Sequence, residues 1–364
     1  MPGISVRSIV WSVGLSLIVL GVIGYFTFEP DSFRQMLDFD PGLLAAAVLT
    51  VVLRIFFGTW RLQYVSHGRL TWLGALRGQL AWDFLSNVTP STIGGGPIAA
   101  GYIARDQQLP LGEATSIMLF SMLMDQIWFA LSIPAILILG LHLEIIPDSL
   151  GTVGSWSFTL YFLSFMVWVL VFGYATLVRP RLLEKMVDRV CRVRGLRRFR
   201  ERALGVMDQL QHRAHILRTQ QPAFYVKGFL LTLAAWLNRY LLVVFIVWSV
   251  YPGLDKLLVF LRTVAVTLGS VVLPTPGGAG GLEGLYALLL GPLMPEALVA
   301  PTLLAWRLLG YYIFIALGAY LSVHQVRKTM QRKRHERALA LLDEDAQHHG
   351  EIVVRAPEPE RTDA

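Results

Sequence analysis

The chain has 364 residues, of which 54% are hydrophobic and only 16% charged, with a formal net charge of +7. Soluble domains carry about a quarter charged residues, and the apolar residues here fall in blocks longer than the roughly 18 that mark a bilayer-spanning helix, so a soluble globular domain is excluded. The single cysteine, Cys191, excludes a disulfide framework and a Cys-based metal site, and the basic residues lie between apolar blocks and in the tail, where positive-inside topology accounts for them before nucleic acid does.

An apolar run at 9–28 follows Arg7 and lacks a small-residue cleavage site before Glu29, so it reads as an uncleaved first span. Further full spans are predicted at 43–62, 114–140, 156–178, 224–250 and 301–325, each bounded by charges or by Pro and Gly. Two other apolar stretches, 70–104 and 257–292, are broken in the middle. The first carries Thr89-Pro90-Ser91-Thr92-Ile93-Gly94-Gly95-Gly96-Pro97 and the second Pro274-Thr275-Pro276-Gly277-Gly278-Ala279-Gly280-Gly281. The segment 179–221 holds twelve Lys/Arg against four Asp/Glu and is assigned to the cytoplasm. The loop 29–42, with Glu29, Asp31, Asp38 and Asp40 against Arg34, and the loop 141–155, with Glu144 and Asp148 alone, go outside. With both termini cytoplasmic, 70–104 enters and leaves from the inside and 257–292 from the outside, each as two half-helices of about 15 residues that reach mid-bilayer. Non-helical backbone at that depth is tolerated only when it is packed in protein or lines a polar cavity.

The two broken stretches belong to one repeat. Aligning Pro90 with Pro274 matches Gly94 with Gly278, Gly96 with Gly280 and Tyr102 with Tyr286. Arg54 lies 36 residues before Pro90 and Arg239 35 before Pro274; Asp125 lies 35 after Pro90 and Arg307 33 after Pro274. The unit is span, hairpin, span, at about 43–140 and about 224–325, in opposite orientations. The expected fold class is an all-α integral membrane protein: an inverted-topology repeat with about six full spans and two re-entrant Pro/Gly-tipped helical hairpins, the architecture of secondary transporters. The competing reading of the Gly/Pro clusters is ordinary packing kinks. Residues 1–326 form the transmembrane domain. The tail 327–364 is basic at Arg327, Lys328, Arg332, Lys333, Arg334 and Arg337 and then acidic, so it and the basic loop are expected to meet anionic lipid, with the end partly disordered.

Arg54, Asp83, Asp125, Arg239, Glu283 and Arg307 fall inside apolar stretches, where a charge costs about 2.5–3.5 kcal/mol on insertion scales and must be paired or functional. Structural pairing is one reading, with Asp125 and Arg307 the obvious couple across the pseudo-twofold axis. Arg61, Arg77 and Arg262 lie nearer the predicted ends and are expected to snorkel. The half-helix starts at Gly96-Pro97 and Gly281-Leu282-Glu283 offer N–H groups which, with Arg54, Arg239 and Arg307, make a cradle for a phosphate. Glu283 is a counter-charge, a ligand for a cationic head or a proton-coupled carboxylate. The candidate substrate site adds Asn87, Pro90, Gly94, Gly95 and Gly96 from the first tip, and Pro274, Pro276, Gly277, Gly278, Gly280 and Gly281 from the second. No phosphate-binding loop, dinucleotide fingerprint, zinc pair or nucleophile elbow occurs in the sequence, so no enzyme activity, cofactor or metal is expected, and His212 and His215 read as a solvated face.

Asn87-Val-Thr-Pro-Ser-Thr-Ile-Gly-Gly-Gly-Pro97 with Tyr102, Arg105, Glu113-Ala114 and the Asp125 span, followed by Leu273-Pro-Thr-Pro-Gly-Gly-Ala-Gly-Gly-Leu-Glu283 with Glu296-Ala297 and the Arg307 span, resembles the flippase-like transmembrane region of lysylphosphatidylglycerol synthases and their stand-alone relatives. The resemblance covers about 9–325. It implies a lipid flippase or transporter that moves or handles a polar-headed lipid, such as a phospholipid, an aminoacylated phospholipid or a polyprenyl-linked glycan, in the cytoplasmic membrane of a prokaryote. Synthase activity is not implied, because only the short tail follows the last span. Two rivals stay open: a membrane transferase acting on a lipid head through Asp83, Asp125 or Glu283, and a non-transporting partner of an envelope-lipid enzyme. Homo-oligomerisation is left open as well.

Overall fold

The computed structural model describes residues 39–89, 95–147, 151–177, 220–271 and 277–321, with a few isolated positions besides. Nearly all of the predicted first span at 9–28, most of the loop 179–221 and the whole tail 327–364 lie outside the described residues, as do Pro90, Gly94, Pro274 and Pro276. The compact body is Pro2–Gly318, and of the remainder, Ala319–Ala364, only 319–321 are described, as helix.

The described chain is all-α, with no strand among the described residues. Its helices are α1 Pro41–Val65, α2 Trp72–Val88, α3 Gly95–Asp106, α4 Leu111–Leu139, α5 Gly151–Leu177, α6 Pro222–Val250, α7 Lys256–Ser270, α8 Gly281–Leu290 and α9 Glu296–Arg307. The last continues through a π-helical turn, Leu308–Tyr312, into a helix described as far as Leu321. Among the described residues, five segments are long and apolar enough to cross a bilayer, and they fall on the five predicted spans that the description reaches. The last begins earlier than the predicted 301, with Pro295 at its N-cap and Pro301 inside it at the sixth position, where proline leaves one carbonyl of the preceding turn without its helical donor.

The helix starts follow from local chemistry. Asp40 caps α1, accepting from Leu43 N at 2.9 Å with Pro41 at the first position; Thr71 caps α2 through Gly74 N at 3.0 Å; Asp255 caps α7 through Leu258 N at 3.0 Å. Each satisfies an N–H that would otherwise lack a partner at the end of an apolar rod. Between α1 and α2, the Arg69 guanidinium grips Glu113 at the start of α4 at 2.9 and 3.3 Å. That hydrogen bond raises the Arg69 pKa above its ordinary value.

α1 packs along α6, and the direction is fixed by its two ends. Asp40 N donates to Ser249 O at 2.9 Å, whereas at the other end Tyr64 and His67 stack on Phe224 at 5.1 and 4.9 Å. The start of α1 therefore meets the end of α6, and the two helices that open the repeats run antiparallel, as an inverted repeat demands. Helices α2 and α3 form the first hairpin and α7 and α8 the second. The first has its base at the His67–Phe224 end; the second has its base at the opposite end, where Arg262 of α7 donates to Glu144 O at 3.1 Å.

The two hairpins meet. Gly277, at φ +60, would bring a Cβ to 2.8 Å from Asn87 O and 3.2 Å from Asn87 Cα, so the second tip lies against the end of α2 with no room for a side chain. Gly278 and Gly280 also have positive φ, which an L-residue adopts only at a cost. Helix α5 lies outside this pair of repeats. It touches α4 and α7 through Phe129–Phe165 and through the Tyr161 hydroxyl, which donates to Leu268 O at 2.8 Å, and turns most of its other side chains outward.

Candidate functional site

A cavity of about 120 Å³ lies between α1, α2, α4, α6 and α7. Arg54 on α1 is 13 residues from Pro41 and 11 from Val65, and Arg239 on α6 is 17 from Pro222 and 11 from Val250, so both stand near the middle of their spans. Each wall is one face of one helix at three- and four-residue spacing. Helix α1 gives Arg54, Gly58 and Arg61; α2 gives Gln79, Trp82, Asp83, Ser86 and Asn87; α4 gives Met122, Asp125, Gln126 and Phe129. Helix α6 adds Ala235, Trp236 and Arg239, α7 adds Thr267, Ser270 and Val271, and Gly310 of the π-helical turn completes the lining. Gly58 earns its place by contact: a Cβ there would press on the Gln79 side chain at 2.8 Å.

The charges are arranged in pairs, with one left over. Arg54 pairs with Asp83, whose second oxygen accepts from Gln79 Nε2 at 3.0 Å. Arg61 Nη1 reaches Asp125 Oδ1 at 2.5 Å and Thr232 Oγ1 at 3.3 Å, and Trp236 Nε1 donates to the same Asp125 oxygen at 2.8 Å. Arg239 makes no ion pair among the described residues; its guanidinium lies 5.1 Å from the centre of the Trp236 ring and feels the charges of Arg54, Asp83 and Asp125. Three arginines and two aspartates thus line the cavity, leaving one guanidinium in excess. Buried Arg61 Nε, Gln79 Oε1 and Gln126 Oε1 have no hydrogen-bond partner. Buried polar atoms are normally satisfied, so three such atoms around one cavity mark a place where a polar guest belongs.

The predicted residues are thus divided. Arg54, Asp83, Asn87, Asp125 and Arg239 are brought together at the cavity. Gly95 and Gly96 lie beside it in close packing, the first against Ser86 and the second against Met122. Glu283 and Arg307 are not on the lining. They pair with each other at 2.6 Å, Glu283 wholly buried, and the Glu283 carboxylate also accepts from Gly280 N at 2.8 Å. The N-terminus of α8, expected to cradle a phosphate, is therefore already taken by its own third residue, a hydrogen bond of the capping-box type. The expected pair of Asp125 with Arg307 does not form; the partners are Arg61 and Glu283.

Arg61 and Arg262 do not snorkel either. They are 4% and 3% exposed, the first in the cavity and the second donating to Leu289 O at 2.7 Å and to Glu144 O. Arg77 is partly exposed and pairs with Asp106 at 2.9 Å. In each hairpin, then, an arginine of the first arm holds the end of the second. The cavity residues that sequence reasoning missed, Arg61 and Gln79 above all, carry a signal: Arg61 is seven after Arg54 and Gln79 four before Asp83, on the same helical faces.

Comparison with known proteins places the chain among membrane proteins. The family described as the lysylphosphatidylglycerol synthase transmembrane region matches residues 9–318. A UPF0104 membrane protein of Archaeoglobus fulgidus is 23% identical over 274 residues, covering 69% of this chain and 76% of its own length. Both are membrane proteins by description, and the first links the fold to lipid handling.

Proposed function

Because the chain belongs to the family of the lysylphosphatidylglycerol synthase transmembrane region, we propose that it is a flippase: it moves a polar-headed lipid across the cytoplasmic membrane and leaves the molecule chemically intact. The observation that carries this reading is the charged cavity near mid-span, walled by helices of both repeats and lying where hairpins from opposite faces meet. At about 120 Å³ it is far below the roughly 300 Å³ at which pockets for whole small molecules begin. It takes a head and leaves the chains outside, in the bilayer. Inverted repeats with interrupted helices at such a site support alternating access, in which one hairpin loosens while the other stays closed.

Transport is favoured over group transfer by the state of the carboxylates. Asp83 and Asp125 are each held by an arginine, so neither stands ready as a free base. Both termini and the basic loop 179–221 face the cytoplasm in this reading, against anionic lipid. Reconstituted into liposomes, the protein should carry a fluorescent-headed phospholipid between leaflets. Asp125→Asn and Arg61→Gln should slow that movement at least about tenfold, the loss of one charged hydrogen bond. Undiminished movement in both variants would remove the cavity from the route. Recovery of a covalently altered lipid would replace transport by catalysis.

A further inference from the structure

The π-helical turn after α9 follows from a burial pattern that an α-helix cannot satisfy. Val299, Leu303 and Trp306 are buried at steps of four and three, and Tyr311, Phe314 and Gly318 at steps of three and four, but Trp306 and Tyr311 are five apart. One extra residue swings the second series roughly 100° off the first in an uninterrupted α-helix. The wide turn absorbs it: Ile313 N donates to Leu308 O, five residues back rather than four. No proline lies between Thr302 and Leu321, so the turn is not the repair of a missing donor. Single wide turns of this kind within α-helices recur at functional sites.

A separate grip lies on each side of the turn. Before it, α9 holds the second hairpin: Trp306 stacks on Tyr286 at 5.2 Å, the Tyr286 hydroxyl donates to Thr302 Oγ1 at 2.9 Å, and Arg307 pairs with Glu283. After it, the chain holds the first repeat. The centre of the Phe314 ring is 4.4 Å from the Arg54 guanidinium, and Gly318 packs so closely on Phe84 of α2 that a Cβ there would overlap the Phe84 side chain. Between the grips, Tyr311 reaches the second tip, since a Cβ on Gly277 would come within 2.5 Å of Tyr311 Cε2 as well as 2.8 Å of Asn87 O. Tyr311 is buried, and the Arg307 guanidinium stands 4.7 Å from its ring centre. Its neighbour Gly310 is part of the cavity wall. The second tip, the end of α2 and the Tyr311 ring therefore close on one another beside the cavity.

Resting on the flippase reading above, we propose that the π turn is a joint between the two grips and that Tyr311 is the latch it carries, holding the second tip shut on the end of α2. A rigid rod fastened to both hairpins would make them move together, whereas alternating access requires one to loosen while the other stays closed. The wide turn lets the Trp306 side follow the second hairpin while the Phe314 side stays on the first repeat. When that movement withdraws the Tyr311 ring from Gly277, the cavity opens towards the face on which the second hairpin has its base. Tyr311 is thus a positioning residue that acts through the tip and needs no contact with the lipid.

Two measurements on the full chain test the joint and the latch, and neither involves a lipid substrate. In hydrogen exchange of the wild-type protein, the amides of 308–313 should exchange at least about tenfold faster than those of 303–306 and 314–318, as a locally opening turn between two packed segments does. In a Cys191→Ser background, a single reporter at the cavity wall, Ser270→Cys, is offered an impermeant maleimide from either face of sealed vesicles. Tyr311→Ala should speed its modification from the face of the second hairpin's base by about tenfold, as a minor open state of about 1% rises towards 10%, and leave the opposite face unchanged. Tyr311→Phe keeps the ring and should behave as the wild type, which a general loosening of the fold does not explain. Equal protection across 303–318, or unchanged reactivity in Tyr311→Ala, would overturn the assignment, and the exchange measurement decides even where a variant does not fold. Faster modification in Tyr311→Ala from a protein whose wild type moves no lipid would leave the latch standing and remove the flippase reading. Lipid movement by the wild type with no change of reactivity in Tyr311→Ala would do the reverse.

Discussion

Glu283 has two partners for one carboxylate: the Gly280 amide at the start of α8, which donates to it, and the guanidinium of Arg307 of α9, which forms an ion pair with it. Buried pairs of this kind add little net stability when intact, yet cost about 3–5 kcal/mol when one partner is removed and the other is stranded. Arg307→Leu is therefore expected to lower the unfolding midpoint of the purified protein sharply. Combined with Glu283→Met, much of that loss should return, though the Gly280 amide stays without its cap, and a double-mutant cycle on unfolding free energy measures the difference. This pair also shows where sequence reading stops. That Arg307 and Glu283 had to be paired or functional was legible from their apolar surroundings. That each had the other was not, because a partner across space depends on how helices cross. Arg61 was misjudged for the same reason: four residues from the end of α1, it looked close to the headgroups, but Asp125 and Thr232 of two crossing helices hold it inside.

The hairpins were the most legible elements, since a Pro/Gly cluster halfway along a 35-residue apolar stretch leaves few alternatives to two short arms. What no pattern revealed was how tightly the second tip packs on the end of α2. Gly277 combines positive φ with an Asn87 carbonyl 2.8 Å from any Cβ, so Gly277→Ala carries at least the roughly 1–2 kcal/mol of a left-handed L-residue plus the displacement of α2. Its expected result is a lower melting temperature together with slowed lipid movement. Gly284, on the exposed side of α8 with nothing within 4 Å, is the contrast: Gly284→Ala should be neutral or stabilising by up to about 1 kcal/mol through helix propensity. Equal effects of the two substitutions in a thermal melt would show that the tip contact is not what constrains the hairpin. The expectation of a phosphate cradle at the start of α8 failed on a point of local chemistry, for Glu283 at the third helical position caps its own helix end.

Across the molecule, the antiparallel seam of α1 and α6 makes the inverted repeat a matter of geometry. Asp40 and Ser249 are joined backbone to backbone at 2.9 Å. In a Cys191→Ser background, Asp40→Cys with Ser249→Cys should therefore form a disulfide under mild oxidation, because the two backbones touch. A parallel arrangement would leave these positions on opposite sides of the membrane and the thiols free. The same geometry predicts that His67→Cys and Gly253→Cys, in turns at opposite ends of the pair, react with an impermeant maleimide from opposite faces of sealed vesicles. Charge in the loops had already indicated as much, because translocation of Lys and Arg follows a rule that needs no knowledge of packing.

Thr267, seven residues before Pro274 as Asp83 is before Pro90, marks a difference between the two hairpins that line the cavity. Two identical inverted halves would look the same from either side of the membrane, and a guest would meet the same chemistry whichever hairpin it passed. With an aspartate on the first hairpin and a threonine at the matching place on the second, the molecule has a front and a back. An anion approaching along α2 meets a carboxylate beside Arg54, and one approaching along α7 meets only a hydroxyl. The mismatch of Asp83 with Thr267 thus adds to that of Asp125 with Arg307 in making the two halves unequal.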